Sequence, residues 1–237
     1  AVVSEQTDGA FDVTFHGVGH LWSFKAGATP PSKQAIATAL PLVDWSKVAL
    51  DEDGARVGLA SGMKIGLGAI AKGYAVDRAS KVLRERGFTN HVVEAGGDTY
   101  AAGDKGGAPW RVGVKDPEGA GSLGVLSIRE RAVVTSGDYM RFFEHEGERY
   151  AHILDPDTGW PILRARSPKS VTLVADNATD ADAYCTAVTV MGPQAGLAFV
   201  ESRPDLDAVI IERDGAVRVS SGLTDIYTPL PPLKPEH

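Results

Sequence analysis

Apolar residues at Ala75, Ala79, Val82 and Leu83 recur with a period of about 3.6, the spacing of a helix face turned to a core. Gly87 follows as a stop. A shorter helix is expected after Pro30-Pro31, capped by Ser32, with Ile36, Ala39 and Leu40 on one side and Pro41 at its end. A third begins at Thr179, with Asp182 three residues on as in a capping box. Gly192-Pro193 closes it and starts a short helix through Val200. Between these lie short runs with the period of a strand: Ala10 to Phe15, His91 to Glu94, Trp110 to Val114, Leu126 to Ile128, Ala132 to Val134 and Ser170 to Val174. Three hairpins are legible. Val48 to Leu50 and Val57 to Leu59 flank an acidic turn, Phe142-Phe143 and Arg149-Tyr150 flank Glu144 to Glu148, and Asp207 to Ile211 and Val217 to Ser220 meet at Arg213-Asp214-Gly215. A strand-like segment at Ile65 runs through a glycine-rich turn into the first helix, and the proline-rich stretch from Pro229 to His237 reads as a loose tail. Helices interleaved with antiparallel hairpins predict an α+β fold of mixed or antiparallel sheets and packed helices.

A chain of 237 residues with 43% hydrophobic and 23% charged positions can bury one sizeable core. The net charge of −7 argues against a nucleic-acid binder, which needs a basic face for phosphates. One cysteine, Cys185, excludes an intrachain disulfide. No apolar run reaches the roughly 18 residues of a spanning helix. The N-terminus lacks the basic and apolar regions of a signal peptide, so a mature or shortened chain is expected.

Several stretches carry chemistry, each with a plainer alternative. His152 stands beside Asp155-Pro156 and Gly159, a titratable ring held at a strand end or an ordinary turn. Leu67-Gly68-Ala69-Ile70-Ala71-Lys72-Gly73 opens the first helix. Its first amides could cradle an anion, and Lys72 sits where a cation opposes the helix dipole and so asks for a reason. The spacing is not that of a Walker A loop. Gly96-Gly97-Asp98 permits a close backbone approach or is a plain hairpin turn. Thr135-Ser136-Gly137-Asp138-Tyr139 offers hydroxyls or caps its own turn. Asp182 and Thr186, four apart on one helix face, could offer oxygen to a hard cation or serve only the helix. Trp22 and Phe24 make either a core anchor or a wall for a flat ring.

Taken in order, these blocks resemble the FAD:protein FMN transferases, the ApbE family. The likeness runs from about Thr7 to Thr228, through Asp8-Gly9-Ala10-Phe11-Asp12, Leu21-Trp22-Ser23-Phe24, Leu67 to Asp77, Ala95-Gly96-Gly97-Asp98, Thr135 to Tyr139, His152 to Gly159, and Asp180 to Ala183 with Thr186. The resemblance implies one flavin transferase domain over residues 1–237. That enzyme would use Mg²⁺ and FAD, cleave the pyrophosphate, place FMN on a Thr or Ser hydroxyl of an acceptor protein through a phosphoester, and release AMP. It implies His152 as general base, Leu21, Trp22, Ser23, Lys72 and Ile153 about the FAD, and Ala69 through its carbonyl with Asp182 and Thr186 as metal ligands. It implies a periplasmic or cell-envelope location, with any membrane attachment through a lipoprotein leader. Departures from the pattern are Gly66, where the family often has an FAD-binding Asp, Ser23 for the usual Gly, Cys185 for an oxygen-bearing residue, and the lack of the usual N-terminal segment. An FAD pyrophosphatase and a non-catalytic FAD-binding protein are the alternatives.

Overall fold

The computed structural model describes residues 1–51, 53–119, 121–139 and 141–231. The chain opens with helix α1 (Val2–Gln6), then a 3₁₀ turn at Val13–Phe15, helix α2 (His16–Gly19) and helix α3 (Lys33–Ala39). Ser32 caps α3 as expected, its Oγ accepting the Ala35 N–H at 3.1 Å, and Pro41 lies in a 3₁₀ turn at its end. The strand expected at Ala10 to Phe15 is absent. The Asp12 carboxylate takes both the N–H and the hydroxyl of Thr14, at 2.7 and 2.6 Å, and folds the segment on itself. A small hairpin follows, β1 (Ala49–Leu50) with β2 (Val57–Gly58). The strand expected at Ile65 is a loop. The Gly66 N–H is held by the Val13 carbonyl at 2.8 Å, and the Leu67 carbonyl takes the Ile70 and Ala71 N–H groups into the next helix.

That helix is α4 (Ala71–Glu85), ended by Gly87 at φ +86°. Phe88 N–H reaches the Leu83 carbonyl and Gly87 N–H the Arg84 carbonyl, the paired bonds of a Schellman stop. Strands β3 (His91–Ala95), β4 (Asp98–Ala102), β5 (Trp110–Lys115), β6 (Ser122–Ile128) and β7 (Arg131–Gly137) come next, then the hairpin of β8 (Phe142–His145) and β9 (Glu148–Ala151). After β10 (Ser170–Ala175) come α5 (Ala178–Met191), α6 (Pro193–Glu201), β11 (Leu206–Ile211), β12 (Val217–Val219) and β13 (Tyr227–Pro229). Of the loose tail expected from Pro229, residues 232–237 lie outside the described part, and Pro229 itself belongs to β13.

The main sheet has the order β12-β11-β10-β7-β4-β3, antiparallel throughout. Helices α4, α5 and α6 cover one face, where Val76, Tyr184, Val188 and Val200 meet Val134, Val171, Leu173 and Ile210. The smaller antiparallel sheet β13-β6-β5 covers the other, with Leu126, Val114 and Leu223 against Val174 and Val209. Strand β10 is therefore buried at every position, which is why it reads as a continuous run instead of an alternation. A separate aromatic lobe gathers Val18, Trp22, Ile36, Phe143 and Leu154 from α2, α3, the β8–β9 hairpin and the segments that follow α2 and β9.

The two helices nearest the site are pinned to one another at their N-terminal turns. The cap of α5 is Asn177, not Thr179 as the sequence suggested. The Asn177 side chain accepts the Asp180 N–H at 2.8 Å and donates to the Asp180 carboxylate at 2.8 Å. Thr179 instead donates its hydroxyl to Asp77 of α4, whose carboxylate also takes the Ala178 and Thr179 N–H groups, each at 2.8 Å. Asp77 thus caps α5 from a different helix. Asp77→Ala is expected to cost about 1–3 kcal/mol, the cost of leaving such donors unpaired, read as a lowered midpoint in urea unfolding. An unchanged midpoint would show that water replaces the carboxylate without loss.

Candidate active site

A cavity of about 560 Å³ opens between the aromatic lobe and the N-terminal halves of α4 and α5. Its polar end is built by three charged side chains. Lys72 Nζ donates to both Asp98 oxygens at 2.7 Å and to Asp182 Oδ1 at 3.3 Å, and Asp182 Oδ2 accepts the Gly73 N–H at 3.1 Å. This accounts for a lysine in a first helical turn: its one positive charge is shared by two buried carboxylates. Asp98 reaches it because Gly96 and Gly97, at φ +60° and +94°, form a tight β3–β4 turn. Burial pushes the Asp98 carboxyl up to about 6, against the pull of Lys72. For Lys72 burial works against the charge, but hydrogen bonds and charges from Asp98 and Asp182 outweigh it and hold the ammonium above the ordinary lysine value.

Three of the first four amides of α4, where an anion cradle was expected, are already engaged. The Ala71 N–H is taken by Leu67, the Gly73 N–H by Asp182 and the Tyr74 N–H by Ile70. Thr186, one turn after Asp182, lines the same wall, as does Ala69 from the loop before α4. These are hard oxygen donors with one carboxylate among them. Among the described residues no group of three or more His, Cys, Asp or Glu is gathered for a metal. Cys185 faces away into the helix–sheet core, its Sγ 3.3 Å from the Val171 carbonyl, and burial pushes its thiol up to about 12. It is a packing residue.

His152, directly after β9, also lines the cavity. Its N–H and its Nδ1 both approach the Arg141 carbonyl, at 3.0 and 3.2 Å. A carbonyl only accepts, so Nδ1 carries the proton and the neutral ring presents a bare Nε2. Burial lowers the His152 pKa, so the ring is neutral at pH 7. Phe24 packs its ring edge-to-face at 6.4 Å. Trp22 is both things the sequence allowed. Its Nε1–H is anchored on the Gly159 carbonyl at 3.0 Å within the aromatic lobe, and it also lines the cavity.

A family model described as the ApbE family matches residues 1–210. The chain belongs to the ApbE family. An FAD:protein FMN transferase of Treponema pallidum is 36% identical, covering 94% of this chain and 66% of its own length. One from Klebsiella pneumoniae is 33% identical, with 94% and 70% covered. The chain thus spans about two thirds of the length of these relatives. Among solved structures, the ApbE protein of Thermotoga maritima superposes with a TM-score of 0.85 at 40% identity, covering 93% of this chain and 73% of its own. The flavin transferase ApbE of Vibrio cholerae gives 0.82 at 27%, with 95% and 73% covered. The α+β architecture read from the sequence is that of these structures.

Of the positions that the ApbE resemblance singled out, the cavity brings together Trp22, Lys72, Ile153, Ala69, Asp182, Thr186 and His152. It does not include Leu21, which packs into the aromatic lobe, or Ser23, which is exposed at the surface. Gly66 does line it, and a Cβ there would stand 2.8 Å from the Phe15 ring, so Phe15 fills the space of a side chain. Phe15, His16 and Arg141 also line the cavity and had no sequence signal.

Proposed function

We propose that this chain is a Mg²⁺-dependent FAD:protein FMN transferase acting on a Thr or Ser hydroxyl of an acceptor protein. One observation carries the reading. A ring whose Nδ1 is held by a main-chain carbonyl, leaving Nε2 bare, and the corner of Lys72 and Asp182 line one cavity together with aromatic side chains. The flat isoalloxazine suits the wall of Trp22 and Phe24. The names of the relatives from Treponema pallidum and Klebsiella pneumoniae agree.

In the reaction, His152 Nε2 accepts the proton of the acceptor hydroxyl as its oxygen bonds to the FMN-side phosphorus. The bond from that phosphorus to the bridging oxygen breaks, and AMP leaves with the electron pair. Asp182, Thr186 and the Ala69 carbonyl would hold Mg²⁺, which when bound supplies positive charge at the pyrophosphate. Lys72 is positioned to orient on a phosphate oxygen while Asp98 keeps hold of it.

Incubation with FAD and a Thr-containing acceptor peptide, with and without chelator, tests the reading. FMN-peptide in Mg²⁺ and none after chelation is expected. Transfer that survives full chelation would remove the metal from the account, and free FMN with no adduct would replace the transferase by a pyrophosphatase.

A further inference from the structure

We propose that Arg141 binds the phosphate oxygens of the dinucleotide through its guanidinium, while its main-chain carbonyl orients the base, His152. The inference rests on the transferase reading above and adds to it a residue that makes the ligand's phosphates, and not its flavin ring, the determinant of tight binding.

Charge matching around the cavity leads to it. The cavity's two carboxylates are already engaged. Asp12 accepts from the Thr14 N–H, the Thr14 hydroxyl and the Trp45 N–H, and Asp182 from Lys72 and the Gly73 N–H. Lys72 is shared between Asp98 and Asp182. Several arginines have carboxylate partners, such as Arg131 with Asp207, Arg149 with Glu144, Arg203 with Asp205 and Arg213 with Asp138, while others that have none among the described residues, such as Arg78, Arg86 and Arg111, do not line the cavity. Among the described residues no carboxylate lies within ion-pair distance of Arg141, although it lines the cavity. The pocket is therefore left with one unmatched guanidinium, a planar fork whose natural complement is a pair of phosphate oxygens.

Position strengthens the case. The Arg141 carbonyl takes both the N–H and the Nδ1–H of His152, so the two residues are tied at the main chain. The Arg141 charge helps to lower the proton affinity of His152, in the same direction as Lys72 and against Asp138, with the Phe24 ring packed on the imidazole. A phosphate held by Arg141 would lie beside the group that takes the acceptor's proton. The tie to His152 runs through a carbonyl, so substitution of the side chain leaves it in place.

The test uses the full chain with Mg²⁺, FAD and riboflavin, the last having the ring system without phosphates. Arg141→Gln is expected to weaken FAD binding by roughly 10–100-fold, the worth of hydrogen bonds to a charged group, while riboflavin binding stays as in the wild type. Arg141→Lys should recover part of the FAD affinity. In Arg141→Gln the acid limb of the kcat/KM profile should also move to higher pH, because a positive charge beside His152 is gone. Unchanged FAD affinity in Arg141→Gln, or an equal loss for FAD and riboflavin, overturns the inference and leaves the transferase reading standing. Failure of the wild-type chain to bind FAD at all overturns both.

Discussion

His152→Ala should slow FMN transfer by roughly 10²–10⁴-fold, the usual contribution of a positioned general base, with FAD affinity held at the wild-type level. The imidazole is oriented by the Arg141 carbonyl and shares no hydrogen bond with Lys72, Asp98 or Asp182, so its removal takes away the proton acceptor without dismantling the charged corner. The pH profile gives a second handle with a defined sign. A base must be neutral to act, and burial lowers the His152 pKa from the ordinary 6.5. Activity is therefore retained as pH falls past 6.5 and is lost only as pH drops through the lower, folded-state value. An acid limb centred above 6.5 would be incompatible with this ring as the base. Full transfer by His152→Ala would remove it from the mechanism.

Gly73→Ala is the second substitution with a large expected effect, and it acts on stability. A Cβ at Gly73 would lie 2.0 Å from the Ala178 carbonyl oxygen and 2.9 Å from the Asp182 Cβ. The opposing atoms are mostly backbone of α5, so no rotamer change can relieve the clash and the helices must separate. Overpacking of this kind costs about 3 kcal/mol or more where nothing yields. For a chain of this size that is roughly 6–12 °C in Tm. Separation would also break the Gly73 N–H bond to Asp182 and pull Lys72 from its second carboxylate. Gly68→Ala is the matched control from the same stretch of sequence. Its Cβ would meet nothing within 4 Å, so its Tm should equal that of the wild type. Equal Tm values for the two variants would show that α4 and α5 do not pack as closely as described.

Where local chemistry and global packing agree, the elements could be read from the chain alone. The period of α4, its Gly87 stop, the Ser32 cap of α3 and the runs that became β3, β5 and β10 are of this kind. The failures share one cause: a polar group that found its partner far away or in an unexpected register. Asp12 spends its carboxylate on Thr14 and Trp45, which converts an apparent strand into turns and brings Phe15 to the cavity. Asp182 looked like a capping residue but bonds across to Gly73, and the cap passed to Asn177. That same bond occupies an amide that a helix-start reading assigns to an anion. Arg141 follows no periodic pattern, and only the fold of the β8–β9 hairpin brings it beside His152. The blocks of the resemblance, by contrast, pointed at most of the cavity wall, because most of them are turns, strand ends or helix starts where the chain presents a particular group.

The central claim is a coupled event, in which one pyrophosphate bond is exchanged for one phosphoester. Mass spectrometry of the acceptor peptide, run beside quantitation of AMP in the same reaction with FAD and Mg²⁺, measures both halves. The account predicts FMN-peptide and AMP in equal amounts, linked through the Thr or Ser oxygen, with both products lost together in His152→Ala. AMP and free FMN accumulating without peptide adduct would contradict it.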